Sequence, residues 1–161
     1  MAQQRKVSRG PRKGWTPEAL ARREKALGPN PWGGYNHNNL GCEFFRMGAW
    51  LHAVYEFERA VEINPWNASF KANLARAYLA AGELKKAQVS ALASLGQDAS
   101  LAQAWFAGAL TLERLGNTSE AIEHYRKCLS LKPALGLKRE VEENLELLVR
   151  EARMKERKEG A

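Results

Sequence analysis

The chain has 161 residues and a formal net charge of +7, with 45% hydrophobic and 27% charged residues. That length holds one compact domain or one short repeat array, and this apolar content excludes a chain disordered throughout. No apolar run approaches the roughly 18 residues of a membrane span, the opening Met1-Ala-Gln-Gln-Arg-Lys has no apolar stretch of a secretory signal, and Cys42 and Cys128 are too few for a disulfide framework or a zinc site. A reducing, cytoplasmic setting is the expectation, with attachment to a membrane through a partner left open.

The charge is concentrated at the start. Residues 1–25 carry eight Lys/Arg against two acids, whereas residues 26–161 carry seventeen against sixteen. Arg5, Lys6, Arg9, Arg12 and Lys13 face no acid within the first fourteen residues, and Gly10, Pro11 and Gly14 interrupt them. This segment has nothing with which to build a core. It reads either as a solvated tail or as an electrostatic arm for an acidic protein, RNA or an anionic lipid surface. A helix is predicted over 17–28, with Thr16 as N-cap, Pro17 at its first position and Glu18 in its first turn.

From there a period of 34 residues governs the chain. Gly48, Gly82 and Gly116 share it, as do Ala53, Ala87 and Ala121; Phe44, Tyr78 and Leu112; and Phe57, Ala91 and Tyr125. Pro65 and Pro133 are two periods apart, and Asn30-Pro31-Trp32 precedes Asn64-Pro65-Trp66 by one. Each unit reads as two helices and two tight turns. The glycines fall where a first helix ends in a left-handed residue. The alanines allow close approach early in the second helix, and the prolines stop it. Residues 136–158 carry Val141, Leu145, Leu148, Val149 and Ala152 as one apolar stripe at helical spacing. Beyond it Arg153–Glu159 is almost wholly charged. Trp32, Trp50 and Trp66, near helix ends, read as packing between helices, with contacts to a partner at the rim as the alternative.

This pattern resembles the tetratricopeptide repeat family. Its signature of an aromatic, Leu-Gly, Tyr, Ala, Phe and Pro falls on His37, Leu40, Gly41, Phe44, Ala53, Phe57 and Pro65. It recurs on Lys71, Leu74, Ala75, Tyr78, Ala87, Ala91 and Ala99, without the proline, and on Trp105, Gly108, Ala109, Leu112, Ala121, Tyr125 and Pro133. The resemblance implies an all-α, right-handed solenoid of helix-turn-helix units. Its parts would be a basic tail (1–14), a degenerate half-repeat helix (15–33), repeats at 34–67, 68–101 and 102–135, and a C-terminal capping helix with a charged tail (136–161).

Little in the sequence carries chemistry. His37, His52 and His124 lie in different helices, the two cysteines have no partner at metal spacing, and Cys128 reads as a packing residue. There is no phosphate loop, dinucleotide fingerprint or HExxH. Glu140, Glu142, Glu143 and Glu146 read as a solvated face. No catalytic residue, metal or cofactor is expected. The resemblance instead implies a concave groove lined by first helices, with Asn38, Asn39, Phe45 and Arg46, then Asn73, Arg76 and Leu79, then Gln103, Phe106, Leu110 and Arg114 facing it. The large apolar members read as exposed docking residues, the asparagines as backbone binders and the arginines as partners for carboxylates. Replacing Phe45 and Phe106 by Asp is then expected to abolish partner capture.

Members that bind chaperone tails use a two-carboxylate clamp of Lys, Asn, Asn, Lys and Arg. The matching positions here are Asn38, Cys42, Asn73, Gln103 and Ala107, and only Asn73 agrees, so such tails are not the expected ligand. The expected function is a non-enzymatic scaffold or adaptor, alone or as an assembly subunit of a larger complex, that binds an extended or helical protein segment. One alternative is a small chaperone for secreted or membrane-inserted proteins, similar to those of type III secretion although those are acidic. The other is an RNA- or ribosome-associated factor.

Overall fold

The computed structural model describes residues 33–160. The basic arm and the predicted helix over 17–28 lie outside the described residues. Those described form seven helices and no strand: α1 (Gly33–Arg46), α2 (Trp50–Ile63), α3 (Ala68–Ala81), α4 (Leu84–Gln97), α5 (Ala102–Arg114), α6 (Thr118–Ser130) and α7 (Leu135–Glu159). None is long and apolar enough to cross a membrane. By compactness the chain divides after Pro65.

The three hairpins α1–α2, α3–α4 and α5–α6 turn in the same way. Gly48, Gly82 and Gly116 have φ of 76°, 85° and 82°. At each one the glycine N–H returns to a carbonyl three residues back, and the next N–H returns to one five back. These are Gly48 to Phe45 and Ala49 to Phe44, Gly82 to Leu79 and Glu83 to Tyr78, Gly116 to Glu113 and Asn117 to Leu112. Only glycine adopts that left-handed position without a Cβ penalty, which is why the period is fixed there.

In the first unit α1 and α2 bury Leu40, Phe44, Ala53, Phe57 and Ala60 between them. A Cβ on Gly41 would lie 2.7 Å from Cε1 of Phe57, so the absent side chain is what lets the helices close on that ring. Beside it His37 Nδ1 and Glu56 Oε2 meet at 2.6 Å, with both side chains buried. Phe45 sets its ring edge-on to Trp50, centroids 5.0 Å apart. Trp66, by contrast, is 87% exposed. The expectation that it packs between helices is corrected: it stands between α2 and α3, before the N-cap Asn67, whose side chain accepts from the Phe70 amide.

In the second unit α5 packs against both α3 and α4, and α7 against α6. Ala72, Ala75, Ala91 and Ala107 form one buried cluster, where methyl groups let the helix backbones approach. Phe106, Ala109, Ala121, Tyr125, Cys128, Val141 and Leu148 form the other. Of the predicted stripe on α7, Val141 and Leu148 are buried while Leu145, Val149 and Ala152 are half-buried. The missing proline after α4 is replaced by a side-chain turn, in which Asp98 Oδ1 accepts from both the amide (2.9 Å) and the hydroxyl (2.6 Å) of Ser100. Those hydrogen bonds, the hydroxyl first, hold the Asp98 carboxyl below its ordinary range.

Cys128 is fully buried, and burial pushes its thiol from an ordinary 9.0 up to about 11. In the unfolded chain the thiol ionises first, so its contribution to stability is complete below pH 9 and is lost as pH rises toward 11. The expected loss is roughly 2–3 kcal/mol over that interval. Urea titrations at the two pH values should show it, and Cys128→Ala should flatten that part of the slope.

Candidate functional site

Helix α3 carries Asn73, Arg76 and Leu79 three residues apart, and α5 carries Gln103, Phe106 and Leu110 at similar spacing, so each set shares a face. The structure brings Arg76, Phe106 and Glu140 together. The Arg76 guanidinium carbon sits 5.0 Å over the Phe106 ring, and Arg76 Nη2 donates to Glu140 Oε1 at 2.8 Å. The two side chains are 25% and 46% exposed, so the pair is open to solvent at its edge. The aromatic face and the carboxylate together fix a guanidinium that otherwise has many rotamers. Glu140, read from sequence as part of a solvated face, is exposed as expected and also serves as an ion-pair partner. Its partner lies 64 residues away, and no local pattern signals it.

Close by, the Tyr125 hydroxyl donates to Glu113 Oε2 at 2.6 Å. Burial, then that hydrogen bond and the negative charges of Glu113 and Glu140, push its ionisation well above the ordinary tyrosine value. Asn144 also hydrogen-bonds this hydroxyl. One polar network thus joins α5, α6 and α7 at the margin of the cluster that holds Phe106.

Two expected docking residues are corrected. Phe106 is 0% and Leu79 8% exposed, so neither presents an apolar surface to a partner. The reason for Phe106 is visible in its surroundings: it belongs to the buried cluster of Tyr125, Val141 and Leu148, and Arg76 lies across its face. Leu110 is half-buried against the same cluster. Gln103 is half-buried, its amide oxygen accepting from the Ser69 hydroxyl at 2.7 Å. Asn73 is half-buried and Arg114 exposed. In the first unit Asn38 and Phe45 are half-buried, while Asn39 and Arg46 are exposed. At the clamp-like positions Cys42 is half-buried and Ala107 fully buried.

Sequence reasoning missed an apolar cleft of about 130 Å³ between α4, α5 and α6, lined by Leu92, Leu95, Gly108, Leu112, Leu115 and His124. It passes close over Gly108, where a Cβ would lie 3.0 Å from the His124 ring. The signal was in the period: Leu92, 63% exposed, stands where the other repeats carry Glu58 and Arg126. Among the described residues no group of three or more His, Cys, Asp or Glu side chains is arranged to hold a metal ion.

Profiles described as tetratricopeptide repeat match residues 44–107 and 102–135. The chain belongs to the tetratricopeptide repeat family. It has the all-α fold of that family, and solved tetratricopeptide domains are similar to it. The first such domain of Spaghetti (RPAP3), bound to the HSP90 peptide SRMEEVD, shares 18% identity, with a TM-score of 0.64 over 76% of this chain and 95% of that one. The Sgt2 domain of Aspergillus fumigatus shares 23% identity at a TM-score of 0.67, covering 82% and 86% of the two chains. The Yersinia enterocolitica type III secretion chaperone SycD, in complex with a peptide of the translocator YopD, shares 18% at 0.60, covering 73% and 93%. No curated protein sequence matches this tetratricopeptide repeat chain.

Proposed function

We propose that this chain is a non-enzymatic protein-interaction adaptor that holds a carboxylate-bearing protein segment against α3 and α5, with Arg76 as the anchoring cation. The observation that carries this reading is the Arg76–Glu140 pair over Phe106. A guanidinium already held at a carboxylate, in a partly exposed setting, needs little reordering to accept a ligand carboxylate in place of Glu140. Asn73, one turn earlier on α3, supplies amide donor and acceptor, Leu110 an apolar contact and Arg114 a second cation. Similar folds carry peptides in SycD and in Spaghetti, the latter an acidic one. The segment proposed here has one anchoring carboxylate and apolar neighbours, because the two-carboxylate clamp lacks its cations. Asn39 and Arg46 on α1 form a further candidate contact, and the arm of Arg5, Lys6, Arg9, Arg12 and Lys13 is assigned to an acidic or anionic partner.

Affinity purification from native cells, followed by titration of the captured segment, tests this. Arg76→Ala is expected to weaken binding about 10- to 100-fold, the worth of a charge-assisted hydrogen bond. Glu140→Ala removes the internal competitor and should strengthen binding several-fold. Equal affinity for Arg76→Ala and wild type, with unchanged circular dichroism, refutes the reading.

A further inference from the structure

Helix α7 is 25 residues long, yet only Val141 and Leu148 are buried along it. At 100° per residue a second strip, Glu142, Glu146, Val149, Arg153 and Arg157, runs along the helix turned roughly 130° from those two. Its charged members are all exposed. Glu146, Arg153 and Arg157, with Arg150 beside them, make no ion pair among the described residues, and Glu142 reaches only Lys138, at 3.7 Å.

The order of charges along this strip is self-complementary. Its N-terminal half is acidic and its C-terminal half basic, with Val149 between. In an antiparallel pair of α7 helices, a twofold axis midway between residues 149 and 150 sets Glu142 opposite Arg157 of the other copy and Glu146 opposite its Arg153. One axis satisfies both pairs, since residues 142 and 157 lie equally far on either side of it, and so do 146 and 153. The same axis brings Val149 against its own copy and levels half-buried Leu145 with Met154, which is 54% exposed. A parallel pair would set glutamate on glutamate and arginine on arginine. A polyanionic surface would be repelled by the acidic half.

We infer that α7 is a self-association helix that pairs antiparallel with α7 of a second copy of this chain in an isologous twofold contact. From Glu142 to Arg157 the contact is about 22 Å long. That places it at the small end of specific interfaces. Its ion pairs are exposed, so the association is weak and salt-sensitive.

Sedimentation equilibrium of the full chain at low salt is the test. The weight-average mass should rise with concentration from 18.0 kDa toward twice that value, and fall back on adding salt. E142R/R153E keeps composition and net charge but sets like charges opposite at both levels, and should weaken association at least about tenfold. E142R/E146R/R153E/R157E reverses every pair and should return it to within about threefold of wild type. Circular dichroism confirms that each variant is folded. A wild-type chain that stays monomeric, an E142R/R153E chain that associates as wild type does, or a fourfold variant that fails to recover overturns the inference.

Discussion

Phe106→Asp is expected to unfold the 66–160 unit, not merely to weaken a binding surface. The side chain is fully buried in one cluster with Tyr125, whose ring centroid is 6.1 Å away, and with Val141 and Leu148 from α7. Removing a buried phenylalanine costs about 3–5 kcal/mol through lost transfer energy and the cavity left behind. An aspartate adds a carboxylate with no hydrogen-bonded place inside that cluster. Arg76 lies over the ring but is already engaged by Glu140, and the short aspartate reaches no further than the centre of the old ring. A total above about 4 kcal/mol is a large part of the 5–15 kcal/mol that holds a typical domain together. Thermal melts followed by circular dichroism should show a collapse of the transition or a fall of more than 10 °C. Phe45→Asp, at a half-buried site, should cost markedly less. Loss of partner capture in a Phe106 variant would therefore report unfolding, and Arg76→Ala is the informative probe of binding.

Glu56→Ala is expected to destabilise the first unit by about 1–3 kcal/mol, the cost of leaving a buried polar group without its partner. Glu56 is 3% and His37 6% exposed, and they meet at 2.6 Å. With the carboxylate gone, His37 keeps its burial and loses that partner. The third repeat shows how the same two positions are filled without a carboxylate: Trp105 and His124 meet with their rings tilted by 56° and centroids 5.0 Å apart. H37W/E56H moves that pair into the first repeat and should recover more than half of the loss. Urea unfolding of H37W, E56H and the double, beside wild type, completes a mutant cycle. A double variant no more stable than Glu56→Ala would show that the pair depends on surroundings particular to α1 and α2.

The turns were legible in the sequence because each depends on one residue type at one fixed interval: Gly48, Gly82 and Gly116 all take a positive φ that a side chain disfavours. The close approach at Gly41 and the burial of Ala53, Ala87 and Ala121 follow from the same repeat. The candidate site was less legible because it depends on how α7 lies. Phe106 shares its buried cluster with Val141 and Leu148 of α7, a helix that lies outside the repeat period. Trp66 failed in the opposite direction, since a large apolar residue beside a helix cap need not find a neighbour. The Asp98–Ser100 turn shows why a missing proline did not lengthen α4: a carboxylate can satisfy the chain end that a pyrrolidine ring would only have blocked.

Cys42 and Cys128 also divide between the two units, one half-buried in the first and one fully buried in the second. An alkylating reagent reacts with thiolate, and the buried, high-pKa thiol offers almost none while its helices stay closed. The two cysteines are therefore a pair of built-in clocks. Labelling at Cys42 follows local access to α1, whereas labelling at Cys128 waits for α5, α6 and α7 to part, so the molecule carries its own reporter of how often each unit opens.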